Sequence, residues 1–198
     1  MPSFAEIQQY FAGVWRMMMG RSEGLRLLDL SADGFWNSFF AILVAVPPMV
    51  VGWVTISNEL AGADVFSSRF SLFARLLLTD LATWVLPYVI LALAARPAGV
   101  ADRFVHYVVA SNWASALFSW VMLPVMLLQL LLPEAADLTG FLTFLVFIGT
   151  MILSWRLTNV AIGKGPAVAT AVFAAMFAAS LAVLFTAEGL LGLSRGVG

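Results

Sequence analysis

The sequence predicts an all-α integral membrane protein, a five-span helical bundle with an N-terminal amphipathic helix. Three observations carry that reading. Hydrophobic residues make up 62% of the 198-residue chain and charged residues only 11%. A soluble globular domain holds roughly 45–50% apolar and about 25% charged residues. Mean hydropathy is +0.98. The apolar residues gather into five runs, each long enough for a bilayer core, and none alternates at period two as a barrel strand does.

The same composition excludes several chemistries. Cysteine is absent, which removes disulfides, thiolate metal sites and cysteine nucleophiles. A single histidine cannot supply a bis-histidine haem or a multi-histidine metal centre. A net charge of −1 argues against nucleic acid as a partner. The chain carries no HExxH, no GxSxG, no paired carboxylates and no phosphate loop, and Gly163-Lys164-Gly165 reads as a turn. The expectation is a protein that is not an enzyme, with no catalytic residue, metal site or cofactor.

Residues 1–33 form the N-terminal region and 34–198 the bundle. Glu6 and the missing basic start separate this region from a secretory signal. Phe4, Ile7, Phe11, Val14 or Trp15, and Met18 recur at helical spacing, with Glu6, Gln8, Gln9 and Arg16 elsewhere on the wheel. This pattern predicts a helix packed on the bundle or lying among lipid headgroups. A recruitment helix for a soluble partner is the alternative. Met17-Met18-Met19 reads as packing material.

The first span is Gly34 to Ile56, led in by the Ser31-Ala32-Asp33 N-cap signal. Pro47-Pro48 at its middle predicts a kink or a break into two halves. The second span runs from Ser71 to Ala95 with Pro87 inside, and ends in the turn chemistry of Arg96-Pro97-Ala98-Gly99. The third, Phe104 to Leu132, exceeds one straight crossing and predicts tilt or a bend at Pro124. The fourth is Leu138 to Ile162 and the fifth Ala167 to Leu193. A four-span version merges or demotes one proline-bearing segment.

Basic residues set the orientation. With a cytoplasmic N-terminus, Arg16, Arg21, Arg26, Arg96, Arg103, Arg156 and Lys164 lie inside, against Arg69, Arg75 and Arg195 outside. Tryptophans near the predicted interfaces suit an aromatic belt. Ala167, Ala171, Ala175 and Ala179 make a smooth face, predicted to pack closely against another helix. Thr139, Thr143, Thr150 and Ser154 share a stripe, as do Asn112, Ser115 and Ser119. Both stripes predict interhelical hydrogen bonds, with a polar permeation path as the other reading.

Asp80 is the ionisable side chain immersed in a span, and an immersed carboxylate is a functional-site hypothesis by default. One reading is a proton or cation site facing Asn112. The other is a structural carboxylate, hydrogen-bonded to Trp, Thr or Asn groups or paired with Arg75. Arg156 and Lys164, at the end of the fourth span, are candidates for anionic lipid headgroups. His106 reads as an interfacial hydrogen-bonding group.

Asp29-Leu30 followed by Gly34-Phe35-Trp36 leads into the first span. This order resembles the Yip family of five-span membrane proteins, named for interaction with Rab-type GTPases, whose lead-in is Asp-Leu-Tyr-Gly-Pro-Phe-Trp. Here the Tyr and Pro are absent and the spacing is one residue longer. Trp155-Arg156-Leu157, a short turn and an alanine-rich span are similar to bacterial members. The resemblance covers about residues 29–193 and implies a non-enzymatic five-span protein. The expected role is a scaffold, adaptor or accessory subunit in a bacterial inner (cytoplasmic) membrane. Its partners would be the lipid bilayer and other membrane subunits. A small transporter or channel-like subunit using Asp80 is the alternative.

Overall fold

The computed structural model describes residues 1–60 and 66–193, with side chains described outside 59–60 and 66–69. Arg69 and Arg195, both placed outside by the charge pattern, fall beyond the described side chains. All regular structure among the described residues is helical. The helices are α1 (Phe4–Met18), α2 (Ala32–Ser38), α3 (Phe40–Leu60), α4 (Phe66–Ala94), α5 (Phe104–Leu131), α6 (Ala136–Ile162) and α7 (Pro166–Leu190). Five stretches are long and apolar enough to cross a membrane: Ala32–Asn58, Phe70–Ala94, Ala101–Leu131, Pro133–Ile162 and Pro166–Leu190. They match the five apolar runs of the sequence to within a few residues.

The chain divides into two compact units, Met1–Gly52 with Asp102–Phe173, and Trp53–Ala101 with Ala174–Gly198. In the first unit, α5 and α6 pack on one another and α1 lies against both. Helix α1 starts with a capping box. The Ser3 hydroxyl accepts from the Glu6 amide, and the Glu6 carboxylate accepts from the Ser3 amide at 2.7 Å. Its inward face is Tyr10, Gly13, Val14, Met17 and Met18, all buried. Tyr10 and Phe11 stack on Trp113 of α5 at centroid distances of 4.9 and 6.1 Å. Phe4, Trp15 and Met19 stay exposed. The amphipathic helix is therefore docked on the bundle, and it carries a second apolar edge outward.

A 3-10 turn, Ser22–Leu27, returns along α1. A Cβ at Gly24 would collide with the Gly13 carbonyl and crowd Met17. The two backbones approach this closely only because residue 24 has no side chain.

The first span is interrupted, but not at Pro47-Pro48. Both prolines lie within α3, and the break between α2 and α3 falls at Phe39. As the N-cap signal predicts, the Ser31 hydroxyl caps α2, accepting from the Gly34 amide at 3.0 Å. At the other end the Phe39 amide turns to Trp36. Ser38 Oγ then donates to the Phe35 carbonyl that Phe39 has left, at 2.7 Å. Phe35 itself packs on Phe39 and Phe104 at 5.6 and 6.0 Å. The prolines are tolerated in mid-helix because a neighbouring helix can satisfy a freed carbonyl. Trp120 of α5 does so for Val44, donating its indole N–H at 2.9 Å.

Two packing expectations need correction. Ala167, Ala171 and Ala175 are exposed, and the buried positions of α7 are Ala169, Val172 and Met176. Those three sit at i, i+3 and i+7, one face of the helix, so the buried stripe runs through a different register from the predicted alanine face. The hydroxyl stripes are corrected only in part, because Asn112 does make the expected interhelical hydrogen bond, to Ser38 of α2 at 2.8 Å. Ser119, Thr139 and Thr150 donate to carbonyls three or four residues back on their own helices. A hydroxyl among apolar neighbours finds that local acceptor without waiting for another helix.

Candidate functional site

The second unit holds Asp80, the carboxylate within the second apolar helix. Asp80 lies near the middle of α4 and is half-buried. Its Oδ2 accepts a 2.6 Å hydrogen bond from Trp53 Nε1. Trp53 belongs to the C-terminal part of α3, is itself buried, and has its ring 6.4 Å from that of Phe73. An indole N–H only donates, and a carboxylate is the strongest acceptor it can meet. Arg75 is exposed and forms no ion pair with a described residue. Two further hydroxyls in this unit, Ser57 Oγ and Thr79 Oγ1, are buried without a hydrogen-bond partner. Thr83 donates instead to the Thr79 carbonyl.

Asn112 belongs to the first unit and is fully buried in α5. Its Nδ2 donates to Ser38 Oγ at 2.8 Å. Ser38 in turn donates its hydroxyl hydrogen bond to the Phe35 carbonyl, so the amide anchors α5 to the break between α2 and α3. Asp80 and Asn112 thus each have a hydrogen-bond partner within their own unit. Sequence reasoning expected a Trp, Thr or Asn partner for Asp80 without choosing Trp53, and it did not name Ser38. The available signal was chemical: an immersed acceptor needs a donor, and Trp53 is the tryptophan of the preceding span.

The two basic candidates at the end of α6 have separate partners. Arg156 Nη2 donates to the Met19 carbonyl at the end of α1, at 2.8 Å. Lys164 Nζ, in the turn before α7, pairs with Asp102 Oδ1 at 2.6 Å. Asp102 also lies 3.8 Å from Arg103 Nε. These contacts gather the end of α1, the start of α5 and the end of α6 at one end of the first unit. Lys164 is largely spent on its carboxylate, whereas Arg156 lines an open cleft of about 400 Å³ with Gly20, Ile152, Trp155, Asn159 and Val160.

His106, expected at the interface as a hydrogen-bonding group, has a buried Nδ1 without a partner. Among the described residues no group of three His, Cys, Asp or Glu side chains could hold a metal ion. No protein-family profile, curated protein or solved structure matches the chain.

Proposed function

We propose that this protein is a non-catalytic scaffold, adaptor or accessory subunit of a larger complex. It would lie in a bacterial inner membrane with its N-terminus in the cytoplasm, and be related in plan to the Yip family. One observation carries the reading: the immersed carboxylate is held by an indole. Asp80 is engaged by Trp53 at 2.6 Å, a contact that joins α3 to α4 and gives the acid a structural task. The docked N-terminal helix and the wide apolar flank of α6 support the same reading. On that flank Phe141, Phe144, Leu145, Phe147, Ile148 and Ile152 are all exposed, a surface suited to lipid or to the span of another subunit.

A second reading, a small transporter using Asp80, is favoured by the buried and unpartnered hydroxyls of Ser57 and Thr79 in the same unit. The two readings separate on Asp80→Asn, measured in proteoliposomes and by thermal unfolding. For a scaffold, Asn keeps an acceptor for Trp53, so the melting temperature stays close to the parent and ion or proton flux is absent in both proteins. Asp80→Leu strands the indole N–H and costs about 1–3 kcal/mol. A measurable flux that Asp80→Asn abolishes without a change in melting temperature overturns the scaffold reading. Affinity purification of the full chain from native membranes then identifies the subunit it holds.

A further inference from the structure

We infer that the cleft at the end of α6 is a binding site for the phosphate headgroup of an anionic membrane lipid. The inference stands whether the chain is a scaffold or a transporter. The cleft is lined by Gly20 and by one face of α6, on which the polar Arg156 and Asn159 lie among the apolar Ile152, Trp155 and Val160. Its volume of about 400 Å³ lies within the range of small-molecule sites.

Arg156 and Trp155 are held in place, and Arg156 and Asn159 have hydrogen-bonding capacity left. Arg156 spends one N–H on the Met19 carbonyl, which fixes the guanidinium and leaves its other donors for a ligand. A fixed guanidinium fork matches two phosphate oxygens. Trp155 is oriented by donating its indole N–H to Thr170 Oγ1 at 3.0 Å. The Asn159 side chain makes no hydrogen bond to any described residue. Gly20 forms the rim with a φ of +82°, and a Cβ there would sit 3.2 Å from Arg156 Nη2. The rim is thus built to leave the guanidinium room.

Charge also points to an anion. Arg156, Arg16 and Arg21 form no ion pair with a described residue. Arg16 and Arg21 flank Met19, the residue to which Arg156 bonds, in the chain. Depth and shape then favour a lipid over free phosphate. Arg156 lies six residues before the end of α6, about 9 Å along the axis, within headgroup reach of a long cationic side chain. From the cleft, Ile152, Ile148, Leu145 and Phe141 descend α6 at spacings of four, three and four residues, all exposed. That stripe is where acyl chains would lie when the phosphate occupies the fork.

The test uses the full-length protein in detergent. Lipid retention is measured by native mass spectrometry, with phosphatidylglycerol, phosphatidylcholine and inorganic phosphate as probes. The parent should retain phosphatidylglycerol about tenfold more tightly than phosphatidylcholine. Arg156→Gln and Asn159→Leu should each bring the two lipids close to parity, and Arg156→Lys should keep part of the preference. Inorganic phosphate should not displace the lipid. Because Arg156→Gln also removes the bond to Met19, Asn159→Leu decides the matter if the former does not fold. Equal retention of the two lipids by the parent overturns the inference. So does an undiminished preference in Asn159→Leu. Displacement by millimolar phosphate, lost in Asn159→Leu, overturns the lipid and assigns the cleft to a soluble phosphate compound.

Discussion

Trp120 Nε1 donates at 2.9 Å to the carbonyl oxygen of Val44, the carbonyl that the ring nitrogen of Pro48 cannot serve. In an α-helix the amide of residue 48 would donate to residue 44, and proline has none to give. Helix α5 repairs the ladder of α3 with a side chain. This accounts for how Pro48 sits inside the helix without ending it.

The pairing predicts a specific non-additivity. Trp120→Phe leaves Val44 without its donor and should cost about 1 kcal/mol. Pro48→Ala restores the helical donor to Val44, so Trp120→Phe in that background should cost much less. A double-mutant cycle by thermal unfolding in detergent checks this. Additive losses would mean that the indole contributes by packing alone.

Gly24→Ala should destabilise the first unit by about 1–3 kcal/mol, a cost typical of overpacking. The added methyl meets the Gly13 carbonyl and Met17 rather than the free end of a side chain. Limited proteolysis within residues 20–28 should accelerate in step with the lower melting temperature. An unchanged cleavage rate would show that the turn shifts at no cost.

The start of α1 should loosen in acid. Hydrogen bonds from the Ser3 hydroxyl and amide hold the Glu6 carboxyl below its ordinary range. A carboxyl whose folded pKa is lowered stabilises the fold above its unfolded value, about 4.3, and that contribution disappears as pH falls through the lower folded value. Amide exchange in the first turn of α1 should therefore rise on acidification through that window. Glu6→Gln should flatten the dependence. A variant with the same acid response as the parent would locate the titrating group elsewhere.

Because the chain lacks cysteine, single-cysteine labelling can read its topology directly. Arg16→Cys, Arg96→Cys and Lys164→Cys should label from the cytoplasmic side, and Glu134→Cys from the opposite side. The pairing of Lys164 with Asp102 and of Arg156 with Met19 already joins the end of α1, the start of α5 and the end of α6. Labelling of positions 96 and 134 from one side would rule out five crossings.

The sequence by itself determined the number and limits of the apolar helices, because hydropathy is a sum over consecutive residues and needs no knowledge of neighbours. It also determined the cap at Ser31, whose hydrogen bond closes within three residues. It marked Asp80, Asn112 and Arg156 as exceptional for the same local reason, a polar group inside or beside an apolar run. What each of them touches was decided by the tertiary structure alone. Trp53 lies 27 residues from Asp80, Ser38 lies 74 from Asn112, and Met19 lies 137 from Arg156. The buried stripe of α7 at Ala169, Val172 and Met176, the break at Phe39 rather than at the prolines, and the repair of Val44 by Trp120 share that cause. Helical periodicity says which residues lie on one face, but only the packing of other helices decides which face is covered and which freed carbonyl finds a donor.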